Sequence, residues 1–183
     1  MKPSTATDLS PNALYTVAIP KFLLLYLLTC GGYLFYWSYR NWATYKKTTG
    51  AAITPVVRGL FWPFFILDLF DKVQNGLAME GRSCQYSLEN RALLIMLLVM
   101  FSVLLFTFFG RPSDAPLVYV ADAVLIISTG FLFLGAQRAI NLLGSDPQGC
   151  GNSKFSRVNL GWMSAGVLGL VCLIYRVFMG GAG

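Results

Sequence analysis

The sequence predicts an all-α membrane protein, with four transmembrane helices and one amphipathic helix that lies in the interface or re-enters the bilayer. Three observations predict it. Hydrophobic residues fill 56% of the 183 positions, charged residues fill 12%, and the mean hydropathy is +0.60, a balance that would make a soluble domain sticky. Four runs of 18 to 20 residues carry at most one charge each, and at about 1.5 Å rise per residue such a run nearly crosses a hydrocarbon core of roughly 30 Å. The basic residues cluster beside these runs, where anionic lipid headgroups are the nearest partner.

One membrane domain accounts for residues 1–183. Residues 1–20, with Pro3, Pro11 and Pro20 among Ser, Thr and Asn, read as a polar tail. The first span, 22–39, is uncharged and ends in Tyr36, Trp37, Tyr39 and Arg40. No small-residue cleavage site follows, so it reads as a retained span. Within it Thr29, Cys30, Gly31 and Gly32 make a point where a helix bends or admits a close neighbour.

Pro55 to Val73 is too short and too charged to cross. At 100° per residue, Asp68, Asp71 and Lys72 fall on one side, with Gly59, Pro63, Ile66, Phe70 and Val73 opposite. An interfacial helix over 56–73, broken at Pro63 and with Arg58, Asp68 and Asp71 as its charged contacts, follows. Residues 74–91 read as a polar loop. The remaining spans are 92–109, 117–136 and 160–179.

Orientation follows from the bases. The first and third loops hold ten Lys and Arg, whereas Lys2, Lys21, Arg111 and Arg176 are the four on the other side. The positive-inside rule then puts the two loops in the cytoplasm and both termini in the periplasm or exterior.

An ionisable group inside a span costs at least ~2.5 kcal/mol on insertion scales and needs protein, water or a partner around it. Asp122 and Arg176 lie at similar depths inside the exterior ends of the third and fourth spans, so an ion pair between them is expected. Gly161, Ala165 and Gly169 form a small-residue stripe on the fourth span, suited to packing within the monomer or between copies. Arg40, Asn41, Trp42, Gln137, Arg138 and Asn141, with Asn152 and Asn159, form a cytoplasmic polar rim. Such a rim binds a lipid phosphate or an acidic peptide, or else caps helix ends.

The pattern LLTCGGYLFYWSYRNW over Leu27 to Trp42, followed by PVVRGLF over Pro55 to Phe61, resembles a group of uncharacterised bacterial inner-membrane proteins. Their recurrent pattern is roughly L-T-x-G-x-Y-x-x-Y-W-x-Y-R-N-W, then P-x-x-R-A-x-F-x-x-x-F. The segment Gln137 to Asn141 is similar to the same group. The likeness spans the first 75 residues or so well and the rest loosely. It implies the architecture and a bacterial inner-membrane location, and supplies no reaction. Gly59 stands where that pattern has Ala.

Function is bounded mainly by what is missing. The chain has no histidine, which removes the commonest ligand for haem, copper and catalytic zinc and the commonest acid or base. Four cysteines form no C-x-x-C, and no phosphate loop, nucleophile elbow or clustered carboxylates occur. No cofactor, metal or nucleic acid is expected. The favoured reading is a non-catalytic membrane protein acting through a protein partner, a second copy or membrane lipids, as an accessory subunit or protective factor. A small transporter or channel using Asp122 and a lipid-handling protein using the basic rim are the alternatives.

Overall fold

A computed structural model describes residues 13–109 and 115–179, with the side chains of 115–116 and 176–179 outside that description. Seven helices run in order: α1 (Ile19–Leu28), α2 (Tyr33–Thr49), α3 (Pro55–Leu60), α4 (Trp62–Met79), α5 (Leu88–Phe109), α6 (Ala115–Leu143) and α7 (Arg157–Met179). No strand occurs among the described residues. Three helices, α5, α6 and α7, are long and apolar enough to cross a membrane.

The expected first span is not one helix. Its chain reverses at Thr29 to Gly32, and α1 and α2 lie side by side as a hairpin. Phe22 on α1 meets both Tyr33 and Trp37 of α2, with ring centroids 6.0 and 6.1 Å apart. Ahead of α1, the Tyr15 amide reaches the Asn41 side chain at 3.1 Å. A continuous helix would hold residues 15 and 41 almost 40 Å apart.

Local chemistry explains the reversal. Cys30 N–H donates to Leu27 O and Gly31 N–H to Tyr26 O, the paired bonds of a Schellman C-cap. Cys30 (φ 47°) and Gly31 (φ 83°) both adopt left-handed backbone. The Thr29 hydroxyl donates to Leu25 O and accepts from Tyr33 N–H, so one side chain serves the end of α1 and the start of α2.

The amphipathic stretch over 56–73, expected to break at Pro63, is two helices that meet at Phe61, two residues ahead of that proline. A proline ring at 63 has no N–H and would collide with the carbonyl of residue 59 in a continuous helix. Short α3 runs back along α2: Ser38 Oγ donates to Arg58 O at 3.2 Å, and Gly59 presses on Tyr39 and Phe35. Helix α4 then descends, with Arg58 stacked on Trp42 and Phe65 and paired with Asp68. Lys72 sits over the Tyr45 ring. Its buried stripe is Trp62, Ile66, Leu69, Phe70, Val73 and Leu77.

The architecture is therefore two short hairpins set against one end of a longer bundle. We call basal the end where 13–18, 50–54, 80–87 and 144–156 gather, and apical the end where α5 finishes. Phe133 of α6 centres the basal core, packed edge-on by Trp37, Trp62 and Phe70. The N-terminal segment is basal, because Val17 bonds Asn141 through both its N–H and C=O. The four-span expectation required it at the opposite end from the 144–156 connection. Lys21 is basal too, donating to Asn152 Oδ1 and Lys154 O, each at 2.6 Å.

Helix α7 touches the rest of the molecule mainly along α1. It approaches α1 closely at Gly166, where an added methyl would strike the Leu28 carbonyl. Gly161 and Gly169 of the expected stripe face open space.

Candidate functional site

The tips of the two hairpins meet at the same height. Thr29, Cys30, Gly31 and Gly32 from the first and Leu60 to Phe64 from the second, with Tyr26 and Phe35, form one side of a cavity of about 490 Å³. Leu98, Val99, Ser102 and Val103 of α5 and Asp122, Leu125, Ile126 and Thr129 of α6 form the other. Four helix ends meet here: the carbonyl ends of α1 and α3 and the amide ends of α2 and α4.

Asp122 is half-buried on the cavity wall, about 10 Å along α6 from Ala115. Ser102 Oγ on α5 donates a hydrogen bond to its carboxylate. No ion pair of Asp122 occurs among the described side chains. The expected partner, Arg176, has its side chain outside the described residues, so the Asp122 and Arg176 pair is not placed.

The hydrogen-bonding groups around Asp122 are mostly committed. Tyr26 donates its hydroxyl to Ile126 O at 2.7 Å, and Thr29 is spent on the two helix ends. The remaining lining is apolar and aromatic. Phe64, 74% exposed, and Leu60, Phe61 and Phe35, also exposed, are lining residues that reach the surface, so the cavity is bordered there by apolar side chains.

The rest of the expected sites resolve differently. Asn41, Gln137 and Asn141 come together, yet all three are fully buried. Asn41 accepts from Tyr15 N–H and donates to Trp37 O. Gln137 accepts from Trp37 Nε1 and donates to Asn141 Oδ1 at 2.8 Å. Asn141 holds Val17, and Asn152 donates to Thr16 O. These amides dock the chain's own N-terminal segment and are not a rim open to a ligand. Trp42 is buried beneath Arg58, and Arg40 stacks on Tyr15 and Tyr36. Arg138 stays exposed.

Arg58 and Asp68 form the clamp between α3 and α4, and Asp71 accepts from Asn75 at 3.0 Å. All four cysteines are free thiols. No trio of metal-ligating side chains occurs among the described residues.

Sequence reasoning missed Ser102, Tyr26 and Thr129 as companions of Asp122. The one available signal was polarity within otherwise apolar runs. Comparison with family models, curated proteins and solved structures finds no match to the chain.

Proposed function

We propose that the protein is a membrane carrier whose solute site is the cavity between the hairpin tips, with Asp122 receiving a positively charged solute. The convergence of two broken helices on one acid carries this reading. Interrupted helices beside a membrane-embedded ionisable residue are the common construction of solute and ion sites. The pocket combines a largely apolar wall with few polar groups, as binding sites do.

On this reading α5, α6 and α7 are the spans and the two hairpins are re-entrant from the basal side. Eleven of the 14 Lys and Arg side chains fall within the described residues, on the hairpins, the basal connections and the basal ends of the long helices. The positive-inside rule then makes the basal side cytoplasmic. The resemblance of Leu27 to Trp42 and Pro55 to Phe61 to bacterial inner-membrane proteins supports that membrane.

The test is uptake of a panel of monovalent inorganic and organic cations into proteoliposomes under an imposed potential. Wild type takes up at least one of them, and Asp122→Asn abolishes that uptake while the protein stays folded. Wild-type vesicles that take up nothing, or uptake indifferent to the substitution, would overturn the reading.

A partner-binding role has one observation in its favour. Helix α7 exposes Leu160, Val167, Leu168, Val171, Ile174 and Tyr175, a surface that a partner or a second copy would cover. Crosslinking from Cys172, which is exposed on the same helix, tests it.

A further inference from the structure

We infer that the solute at Asp122 is an amphiphilic organic cation that enters from the lipid phase, and not a bare metal ion; the inference rests on the carrier reading above.

The donor set decides between the two. A hard cation stripped of water needs a shell of several oxygens. The lining side chains offer the Asp122 carboxylate and the hydroxyls of Ser102 and Thr129, because the Tyr26 and Thr29 hydroxyls are already bonded, and at the helix ends the carbonyls of Leu25, Tyr26, Leu27, Thr29, Val57 and Phe61 already accept backbone hydrogen bonds. A bare alkali ion would lose more hydration there than these groups return. An organic ammonium or phosphonium has a diffuse, weakly hydrated charge and brings its own apolar surface.

That surface has a matching wall. Phe35, Phe61, Trp62 and Phe64 stand on the hairpin side and Leu98, Val99, Leu125 and Ile126 on the other. Aromatic faces attract a cation electrostatically as well as burying its substituents. A volume of about 490 Å³ lies within the roughly 300–1,000 Å³ of sites for drug-sized ligands. The acid supplies the charge complementarity, and the single carboxylate matches a monovalent head.

The route follows from the apolar border. Leu60, Phe61 and Phe64 are among the most exposed apolar side chains of the hairpins, and they line the cavity. A molecule already dissolved in the bilayer reaches Asp122 past them without crossing the polar basal surface.

The experiment is equilibrium binding of radiolabelled tetraphenylphosphonium to the purified full-length protein in detergent, with rubidium as the inorganic probe. Folding of each variant is checked by circular dichroism. Wild type binds the phosphonium saturably, Asp122→Asn weakens binding about tenfold or more, and Phe61→Ala weakens it severalfold with Asp122 intact. Rubidium neither binds nor competes.

Rubidium binding that depends on Asp122, with no phosphonium binding, would overturn this inference and leave the carrier reading standing. Neither cation binding to folded wild type in an Asp122-dependent way would remove both. Phosphonium binding that emerges only in Arg176→Gln would show the acid to be already paired, and would also overturn it.

Discussion

The hydroxyl of Tyr26, near the tip of the first hairpin, donates to the carbonyl oxygen of Ile126 on α6 at 2.7 Å. The same ring fills the space where a side chain at Gly130 would project, 2.6 Å from its Cε1 atom. Ile126 lies one helical turn from Asp122 on α6. The hairpin tip is thus fixed one turn below the acid, and the cavity's dimensions depend on that attachment.

Gly130→Ala is expected to destabilise the protein by about 1–3 kcal/mol through overpacking against Tyr26. Tyr26→Phe, which loses only the hydrogen bond, should cost about 1 kcal/mol. Thermal unfolding in detergent measures both, and equal effects would mean that the ring is not confined as described.

Gly59 makes the corresponding contact for the second hairpin. A methyl there would lie 2.8 Å from Tyr39 Cβ and 3.1 Å from Phe35 O. Neither is the far end of a flexible side chain, so Gly59→Ala should lower stability by about 1–3 kcal/mol. An unchanged melting curve for the variant would contradict the tight packing.

Cys30 occupies the left-handed position of a Schellman cap, where glycine is normal. The left-handed conformation costs a side-chain-bearing residue about 1–2 kcal/mol, and glycine returns about 0.5–1 kcal/mol of that through the entropy of its unfolded chain. Cys30→Gly is therefore expected to stabilise by about 0.5 kcal/mol. A lower denaturation midpoint would show that the thiol itself contributes to the tip.

Removing Asn141 strands the Val17 N–H and C=O in the interior. Each buried unsatisfied group costs about 1–3 kcal/mol, so Asn141→Ala should release the N-terminal segment. Limited proteolysis would then cut near residues 13–18 in the variant before wild type. Identical cleavage patterns would refute the docking.

Cys84 and Tyr86 lie in the basal connection between α4 and α5. Burial pushes both the Cys84 thiol and the Tyr86 phenol up from their ordinary values, against the opposing pull of Arg91. A raised acid group favours the folded state below its unfolded pKa and loses that contribution as pH climbs through its folded value. Local stability of this connection should fall at alkaline pH. Maleimide modification of Cys84 should be slow at neutral pH and accelerate only above the ordinary thiol range. Fast neutral-pH labelling of Cys84 would contradict the burial.

The three long helices were legible because an uncharged run and a long apolar helix are nearly the same object. The runs 92–109, 117–136 and 160–179 each sit inside an observed helix. Helix α6 continues to Leu143 because Arg138 points outward while Ala139, Ile140 and Leu143 are buried. The first run failed for a physical reason. Eighteen apolar residues bury equally well crossing once or folding back, so hydropathy cannot distinguish the two. The Thr29 to Gly32 cluster and Pro63 carried the distinction, and both were legible as breaks without their reversals. The amides of Gln137, Asn141 and Asn152 were unreadable as a dock because the N-terminal residues they hold stand more than 100 positions away, as Val17 does from Asn141.

Sidedness of the N-terminal segment tests the hairpin architecture most directly, since Thr16 and Cys150 fall at the same end only if the first run folds back. Single-cysteine proteins carrying Thr16→Cys, or retaining only Cys150, are labelled with a membrane-impermeant maleimide in intact cells and in inverted vesicles. The hairpin account predicts that both sites react from the same side. Labelling of the two from opposite sides would restore a crossing first span and contradict the meeting of the two hairpin tips at Asp122.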